Sequence, residues 1–375
     1  MIRRTEVAIV GAGMAGASLA AEIAGEADVL ILEGESQPGY HSTGRSAAFW
    51  SETYGGPLVQ PLTSASGPFL ADPPADFADR PFLSPRGALH IADAGGRPAL
   101  DALAAEFAGS KVALEPLSRP ALASAVPGLR PEWSAGLAER SCADIDVAAL
   151  HAAYLRRARA RGAELVADAR VERARREGER WRLETRAGQV EADILVDAAG
   201  AWADEVARAA GERPIGIQPY RRTLVQLRID PPAPDDLPLV IDARRLFYFK
   251  PEAGGRLWLS PHDETPCDPG DCAPEEFDVA LAIDRLQKVV DWRIERVERS
   301  WAGLRSFAPD RAPVYGFGAG GRAGGFFWCA GQGGFGIQTA PAAAKLAAAL
   351  LLDQAQDPMV ARIDPAPYLA ERFRT

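Results

Sequence analysis

The strongest constraint on the fold is a strand, a glycine-rich turn and a helix at the start of the chain. Glu6–Val10 (EVAIV) is a short β-branched run, which predicts a strand buried on both faces. GAGMAG follows, and an alanine-rich helical stretch then runs to about Ala24. A second apolar strand, Asp28–Leu32, ends at Glu33. This order is typical of a Rossmann-like unit that binds the ADP half of a dinucleotide.

The glycines of the turn and the acid after the second strand have separate physical roles. Gly11 permits the tight turn, Gly13 lets backbone N–H groups approach a pyrophosphate, and Gly16 lets the helix pack closely on the strand. The N-terminus of the helix adds a positive dipole end. Glu33 can accept hydrogen bonds from both ribose hydroxyls and would repel a 2′-phosphate, so the sequence disfavours NADP.

The next segment differs from that of a plain NAD domain. Gln37–Phe49 (QPGYHSTGRSAAF) is polar and contains glycine where a dehydrogenase would continue with another strand and helix. Ser42, Thr43 and Ser46 are suitable caps for a following helix. A second helix N-terminus beside the cofactor would suit a longer ligand with two parts.

A second glycine-rich motif lies near the C-terminus. GGFFWCAGQGGFGIQTAPAAAKLAAALLL predicts an apolar strand, a loop at Gly331–Gly336 and a helix. The glycines would allow close approach of the backbone to a flat ring, and the positive end of the helix would stabilise the negative charge of a reduced flavin. The alternative is a buried packing helix with a flexible lead-in. Beside the N-terminal motif, the flavin interpretation is favoured.

The rest of the chain gives a coarser pattern. Residues 49–139 are rich in proline and loops, a helix is predicted around Asp146–Arg161, and a charged hairpin runs through Trp181–Thr185. The strand ILVDAAG ends at Gly200, and another helix is predicted near Phe277–Val290. The apolar runs are too short to cross a bilayer and none resembles a signal peptide, so we expect a cytoplasmic protein.

Charge and cysteine usage narrow the possible partners. The formal net charge of −9 argues against nucleic acid, because phosphate binding needs a basic surface. Cys267 and Cys272 share an acidic, proline-rich loop, but no second Cys or His pair accompanies them. We therefore expect free thiols and no metal.

Ordered matches along the whole chain resemble the D-amino acid oxidase-like FAD-dependent oxidoreductases, which include glycine and sarcosine oxidases. Within this family the similarity is greatest to the bacterial D-arginine dehydrogenases. The matching stretches are GAGMAGAS, LEGESQPGYHSTGRSAA, FLSPR, ADIDVAALHAAYLR, DAAGAW, QPYRR, FYFKPEAG, WAGLRSF and AGQGGFGIQT. The resemblance implies a mixed α/β (α+β) fold. A Rossmann-like FAD-binding domain (residues 1–48, 140–213 and 300–375) would be interleaved with a substrate domain on a large mixed β-sheet (49–139 and 214–299).

The resemblance also implies which residues contact FAD. By motif match they are Gly11, Gly13, Met14, Ala15, Gly16, Glu33, Ser42, Thr43, Arg45, Ser46, Ala47, Ala48, Val171, Gly200, Gly331, Gly333, Gly334, Phe335, Gly336, Ile337 and Gln338. Some members of the family bond flavin through a cysteine after the WAGLRS-type motif. Here that region reads RSFAPDRAP, so non-covalent FAD is expected.

Substrate-binding residues carry over in the same way. Arg222 and Arg305 match positions that hold a substrate carboxylate, a task suited to the planar guanidinium fork. Tyr54 and Tyr248 match active-site tyrosines. The expected side-chain pocket comprises Phe49, Trp50, Ala88, Gly331 and Gln332.

Two positions of this pocket depart from the D-arginine dehydrogenase pattern. Ala88 stands where that group has a glutamate that pairs with the guanidinium of the substrate, and Phe49 stands where it has a histidine. Both changes remove polarity from the expected pocket, so arginine is not expected to be the best substrate.

The expected activity is oxidative deamination of D-amino acids, with neutral or apolar side chains preferred, to 2-oxo acids and ammonia. Hydride would pass from Cα to flavin N5. The alternatives are oxidation of N-methyl or cyclic amino acids such as sarcosine or proline, oxidation of 2-hydroxy acids, or a non-catalytic flavin-binding role. The electron acceptor stays open among oxygen, a quinone and another carrier.

Overall fold

The computed structural model describes residues 2–373, which form three β-sheets and the helices packed against them. The strands, β1 to β21 in chain order, are Arg3–Val10, Val29–Leu32, Phe49–Trp50, Leu83–Pro85, Ala88–Ala92, Glu115–Leu117, Ala135–Glu139, Ala143–Ile145, Glu164–Val166, Val171–Glu177, Arg180–Thr185, Gly188–Asp197, Gln218–Asp230, Leu239–Asp242, Tyr248–Glu252, Arg256–Ser260, Thr265–Pro266, Arg293–Phe307, Val314–Phe317, Phe326–Ala330 and Gln332–Gly333. The helices, α1 to α9, are Met14–Ile23, Gln60–Ala71, Arg97–Phe107, Arg119–Ala125, Val147–Ala160, Ala203–Ala209, Glu276–Gln287, Gly321–Gly324 and Ala340–Leu352. Short 3₁₀ helices lie at Ala94–Gly96, Gly200–Trp202, Ala366–Tyr368 and Ala370–Phe373.

The first sheet is built around the N-terminal strand. β1 pairs in parallel with β12 on one side and β2 on the other, and β9 extends the sheet beyond β2. β10, β11 and β12 form an antiparallel meander, while β20 runs parallel to the C-terminal half of β12. Helices α5 and α9 pack against α1 on this sheet. The predicted strands at both ends of the chain and the predicted hairpin are confirmed.

Close packing at the first turn explains two of its glycines. A Cβ atom at position 16 would lie 1.9 Å from the carbonyl oxygen of Gly11, so α1 could not approach β1 as it does. Gly11 has φ +102°, and a Cβ there would lie 2.5 Å from the carbonyl oxygen of Ala198. A left-handed backbone conformation of this kind favours glycine. Both glycines are therefore required by the packing of the protein itself.

The second sheet has ten strands, in the order β21-β18-β13-β16-β15-β14-β5-β7-β6, with β17 beside β13. All of its pairs are antiparallel except β5 with β14, so the predicted large mixed sheet is confirmed. The long β13–β18 pair sets Tyr220 opposite Arg305 and Arg222 opposite Gly303. This register brings the two predicted carboxylate-binding arginines to the same end of the sheet.

Two expectations about local structure are wrong. No helix starts directly after Ser42, Thr43 and Ser46; residues 38–45 form turns, and the next helix is α2 at Gln60–Ala71. The segment 49–139 is also more regular than its proline content indicated, since α2, α3 and α4 lie within it. Each of these helices has proline at its first or second position, where the missing N–H is tolerated.

The large sheet takes its strands from residues 88–139, 218–307 and 332–333, and the first sheet takes its strands from 3–32, 164–197 and 314–330. The small third sheet, β3-β8-β4, contains the Phe49–Trp50 strand. The boundaries between the two interleaved domains stay a prediction. Between residues 2 and 373 no helix has the length and apolar character needed to span a membrane.

Candidate functional site

A cavity of about 500 Å³ is lined by residues of both large sheets. Most of the residues predicted to bind cofactor or substrate line it: Gly11, Gly13, Met14, Ala15, Glu33, Ser42, Thr43, Arg45, Ser46, Ala47, Val171, Gly200, Arg222, Tyr248, Arg305, Gln332, Gly333, Gly334, Gly336 and Ile337. Residues far apart in sequence therefore meet at one continuous surface.

The nucleotide end of the cavity is formed by the N-terminal turn. The Glu33 carboxylate accepts hydrogen bonds from the backbone N–H groups of Ala12 (2.8 Å) and Glu35 (3.0 Å), which fix it at the tip of β2. A Cβ atom at Gly13 would have one protein neighbour, the Thr43 Oγ1 atom at 3.4 Å. Unlike Gly11 and Gly16, Gly13 is thus not required by internal packing. A side chain there would enter the cavity, as expected of a position that a ligand approaches closely.

The turns at 39–47 form one wall of the cavity. Thr43 Oγ1 accepts a hydrogen bond from the backbone N–H of Met14 (3.0 Å), so Thr43 caps α1 instead of the later helix predicted from sequence. The Ser42 hydroxyl donates to the carbonyl of Leu304 (2.7 Å), and Arg45 pairs with Asp271 (2.5 Å). These contacts attach the wall to α1 and to the large sheet.

The C-terminal glycine motif forms the opposite part of the lining. Gly331 and Gly333 have φ values of +69° and +56°, a conformation that favours glycine. A Cβ atom at Gly334 would lie 2.6 Å from Arg305 Nη1 and 2.7 Å from the Tyr54 hydroxyl. The glycine at 334 therefore leaves room for the polar groups of the substrate end.

Arg222 lines this end of the cavity and has one unpaired donor. Its side chain is only 3% exposed. Nε donates to the carbonyl of Asp263 (2.7 Å) and Nη2 donates to Glu264 (3.1 Å). Within residues 2–373, Nη1 is buried and has no hydrogen-bond partner. A buried donor without a partner costs about 1–3 kcal/mol, so a ligand acceptor at Nη1 would relieve that cost.

Arg305 lies close to Arg222 and contacts one of the tyrosines. Its guanidinium hydrogen-bonds the Tyr54 hydroxyl and lies near the ring of Tyr54. Burial, and next the positive charge of Arg305, lower the pKa of Arg222. Two neighbouring guanidinium groups create a site for an anion, and their planar forks suit a carboxylate.

An apolar cluster adjoins the two arginines. Phe49, Ala88 and Tyr248 belong to it, together with Leu224 and Ile241. The ring of Phe49 lies 5.1 Å from that of Tyr54 and 5.9 Å from that of Tyr248, between centroids. Ala88 is 1% exposed and contributes no polar side-chain atom. The cluster thus has the apolar character expected of the side-chain pocket.

Several predicted residues lie outside the cavity lining, namely Gly16, Ala48, Phe49, Trp50, Tyr54, Ala88, Gly331, Phe335 and Gln338. Tyr54, Phe49 and Ala88 still adjoin it through the contacts above. Trp50 does not, because successive residues of a strand point to opposite faces. Its ring packs with the core beneath α1 and α9 and donates to the carbonyl of Thr63 (2.9 Å).

Other lining residues were missed by sequence reasoning. At the nucleotide end they include His41 and Trp202, whose rings lie 4.6 Å apart, and Glu35, which pairs with His41 (2.8 Å). Near the substrate end, but outside the cavity lining, the ring of His262 lies 5.5 Å from the ring of Tyr248. Burial, then the charges of Arg222 and Arg305, hold the pKa of His262 well below 6.5, so its imidazole is neutral. Glu35, His41 and Trp202 lie within the matching stretches LEGESQPGYHSTGRSAA and DAAGAW, which could have indicated them, whereas no motif pointed to His262.

The cysteines do not line the cavity, although Cys142 belongs to the apolar cluster of Phe49, Ala88 and Tyr248. Cys267 and Cys272 have sulfur atoms 3.6 Å apart, and none of the four cysteines lines the cavity. Among residues 2–373 no group of three or more His, Cys, Asp or Glu side chains is arranged to hold a metal ion.

Comparison with known proteins agrees with this geometry. The family model described as FAD dependent oxidoreductase (DAO) matches residues 6–350. The hydrogen cyanide synthase subunit HcnC of Pseudomonas aeruginosa is 28% identical over 225 residues, which cover 59% of this chain and 51% of that protein. The chain thus spans about half the length of this relative.

Two solved structures are similar along nearly the whole chain. Glycine oxidase from Geobacillus kaustophilus has a TM-score of 0.85 and 23% identity, with 98% of each chain covered. L-Proline dehydrogenase from P. horikoshii has a TM-score of 0.83 and 20% identity, with 100% of this chain and 99% of that chain covered. At these identities the likeness shows the fold.

Proposed function

Because the chain belongs to the DAO family of FAD-dependent oxidoreductases, we propose that it oxidises D-amino acids with neutral, apolar side chains to 2-oxo acids and ammonia. FAD is the cofactor and, when bound, would supply the acceptor for a hydride from the substrate Cα. The neutral amine forms when the ammonium proton passes to solvent. Loss of hydride from this amine then leaves an iminium ion, which water hydrolyses to the 2-oxo acid and ammonium.

One observation carries the proposal: Arg222, which has a buried and unpaired Nη1 donor, lines the same cavity as Arg305 and the nucleotide-binding turn. A substrate carboxylate satisfies that donor and is shared with Arg305. Fixing the carboxylate orients Cα, and orientation supplies much of the rate when a cofactor performs the redox step. The Tyr54 hydroxyl holds Arg305, and Tyr248 lines the cavity beside them. These four residues are the proposed catalytic set.

The preference for apolar side chains rests on the apolar cluster of Phe49, Ala88 and Tyr248, which adjoins the cavity. Burial of an apolar side chain there returns about 25 cal/mol per Å² of apolar surface. A cationic side chain would need a carboxylate partner, and two candidates, Glu52 and Glu139, are already engaged. Glu52 accepts hydrogen bonds from Ser64 and Ser141, and Glu139, paired across the sheet with Ala88, is held by its own donors. An unpaired charge in this pocket costs several kcal/mol, on the order of the penalty for a desolvated ion.

A substrate panel followed by flavin bleaching without oxygen tests the proposal. The panel contains D-Leu, D-Met, D-Phe, D-Arg and D-Lys, their L-enantiomers, sarcosine, proline and a 2-hydroxy acid. We expect the apolar D-amino acids to bleach the flavin fastest and to yield one ammonia per flavin reduced. Bleaching by sarcosine or proline alone, by a 2-hydroxy acid, or by no compound would refute the assignment. Repeating the assay in air with peroxide detection separates oxygen from a quinone or other carrier.

Substitution at position 88 tests the origin of the specificity. Ala88→Glu introduces a carboxylate at the position where the D-arginine dehydrogenases have one, so kcat/KM for D-Arg and D-Lys should rise relative to that for D-Leu. Ala88→Gln is the matched control, because it adds similar volume without charge. The interpretation fails if both variants shift the preference equally. It also fails if the unmodified enzyme oxidises D-Arg far faster than every neutral D-amino acid.

A further inference from the structure

Two buried polar side chains outside the cavity lining hold the segment Ser51–Tyr54 from opposite sides. Glu139, the last residue of β7, is 0% exposed, and Gln338, which follows the C-terminal glycine motif, is 2% exposed. Neither residue contacts the cavity. The proposed reaction assigns no role to either of them.

The Glu139 carboxylate accepts hydrogen bonds from the first three residues of this segment. One oxygen accepts from the hydroxyls of Ser51 (2.9 Å) and Thr53 (2.6 Å), and the other accepts from the backbone N–H of Glu52 (2.6 Å). His90 Nε2 lies 3.3 Å from the first oxygen. Burial alone would raise the pKa of Glu139, but the hydrogen bond and charge of His90 and the two hydroxyls outweigh it and lower the pKa. The group is therefore a carboxylate at neutral pH.

Gln338 fixes both ends of the same segment. Its side-chain oxygen accepts from the backbone N–H of Ser51 (3.2 Å), and its nitrogen donates to the carbonyl of Tyr54 (3.0 Å). The same nitrogen donates to the Thr63 hydroxyl on α2 (2.9 Å). The main chain from 51 to 54 is thus tied to β7 on one side and to α2 and the glycine motif on the other.

Two glycines, Gly55 and Gly56, follow Tyr54 directly, with φ values of +105° and +73°. The orientation of Tyr54 is set by the segment before it and by its ring contacts with Phe49 and Phe335, at 5.1 and 5.0 Å between centroids. The hydroxyl at the end of this ring is the one that contacts Arg305.

We infer that Glu139 and Gln338 are positioning residues, which hold Ser51–Tyr54 so that the Tyr54 hydroxyl meets Arg305 at the substrate carboxylate site. The inference deepens the proposed function and rests on it for its effect on catalysis. Hydrogen bonds made by a buried carboxylate and a buried amide are directional. They define the main-chain position more narrowly than apolar packing of the same segment would.

The test uses FAD-loaded enzyme labelled with 3-fluorotyrosine, and ¹⁹F NMR reports on Tyr54. The chain has 7 tyrosines, and loss of one signal in Tyr54→Phe assigns its resonance. In Glu139→Gln and in Gln338→Met we expect the Tyr54 resonance to shift or broaden while the signals of tyrosines far from this segment stay in place. Gln338→Met removes the hydrogen bonds on the other side of the segment, so it provides the same test if Glu139→Gln fails to fold. Asp242→Asn is the control, because Asp242 is another fully buried carboxylate of the large sheet that contacts residues 244 and 246 instead.

Catalysis gives the second measurement. Both variants should keep their FAD content and lose about 10- to 100-fold in kcat/KM, the range for a misplaced catalytic group, and Asp242→Asn should keep its kcat/KM. In the Tyr54→Phe background the loss from Glu139→Gln should nearly vanish, because the two residues act through one hydroxyl. An unchanged Tyr54 resonance overturns the inference, as does a lower melting temperature with unchanged kcat/KM. If the unmodified enzyme oxidises no amino acid, the proposed function fails while the NMR result still decides the placement of Tyr54.

Discussion

In Arg222→Met, a substrate with a free carboxylate should lose most of its advantage in kcat/KM over the corresponding amide, while FAD stays bound. The substitution removes the buried Nη1 donor and keeps a side chain of similar length. Truncating one partner of a buried, hydrogen-bonded charge pair costs about 2–5 kcal/mol, which corresponds to about 30- to 5,000-fold in kcat/KM. Because Arg222 is 3% exposed, solvent cannot replace the lost charge, and we expect the upper half of this range.

The assay compares an amino acid with its amide, in the variant and in the unmodified enzyme. We expect the acid to lose its advantage over the amide in Arg222→Met, since the amide carries no charge for Arg222 to bind. Arg311→Met is the matched control: Arg311 also pairs with Glu264 (2.9 Å) but does not line the cavity. An acid-to-amide ratio that is the same in Arg222→Met as in the unmodified enzyme would refute the reasoning. So would an equal loss in Arg311→Met, which would trace the effect to Glu264.

Three further predictions follow from the site and its surroundings. Gly13→Val should fold normally yet purify with little FAD. Gly16→Val should lower the melting temperature, because a side chain at position 16 would lie 1.9 Å from the backbone of Gly11. Equal melting temperatures of the two variants would contradict this prediction. Heat or acid should release intact FAD, since none of the four cysteines lines the cavity, and flavin that stays with the denatured chain would show a covalent bond. Glu139, whose pKa is lowered from 4.5, stabilises the fold above that pH and loses this contribution as the pH falls through its folded pKa. The melting temperature of Glu139→Gln should therefore fall less steeply below about pH 4.5 than that of the unmodified enzyme, and parallel curves would count against the assignment.

The sequence by itself determined the parts of the protein whose physical requirements are local. A turn that must reverse in a few residues needs Gly11, and a helix that must touch the strand before it needs Gly16. The two glycines therefore occur at a fixed spacing in the sequence. Glu33 follows the same rule at the end of the second strand. The C-terminal strand, loop and helix are equally local, and the matches along the chain predicted the large mixed sheet. All of these elements are confirmed by the structure.

Tertiary structure decided what depends on residues that are distant in sequence. Thr43 caps α1 rather than a helix of its own, because the turn at 39–47 folds back on Met14. Trp50 lies outside the apolar cluster that contains Phe49, because neighbouring residues of the short strand β3 point their side chains to opposite faces. The unpaired donor of Arg222 exists only after β13 and β18 have paired and Asp263 and Glu264 have taken the other donors.

Gln338 shows most clearly what the sequence alone does not determine. Its place in the glycine motif predicted a contact with FAD, yet its side chain is engaged with Ser51, Tyr54 and Thr63, and Glu139 joins the same segment from a different strand. A single sequence records which residue stands at each position. It does not record which of several nearby donors and acceptors will be within hydrogen-bonding distance. That choice is made when the sheets pack, since a buried polar group must find its partner among whatever groups the packing brings to it.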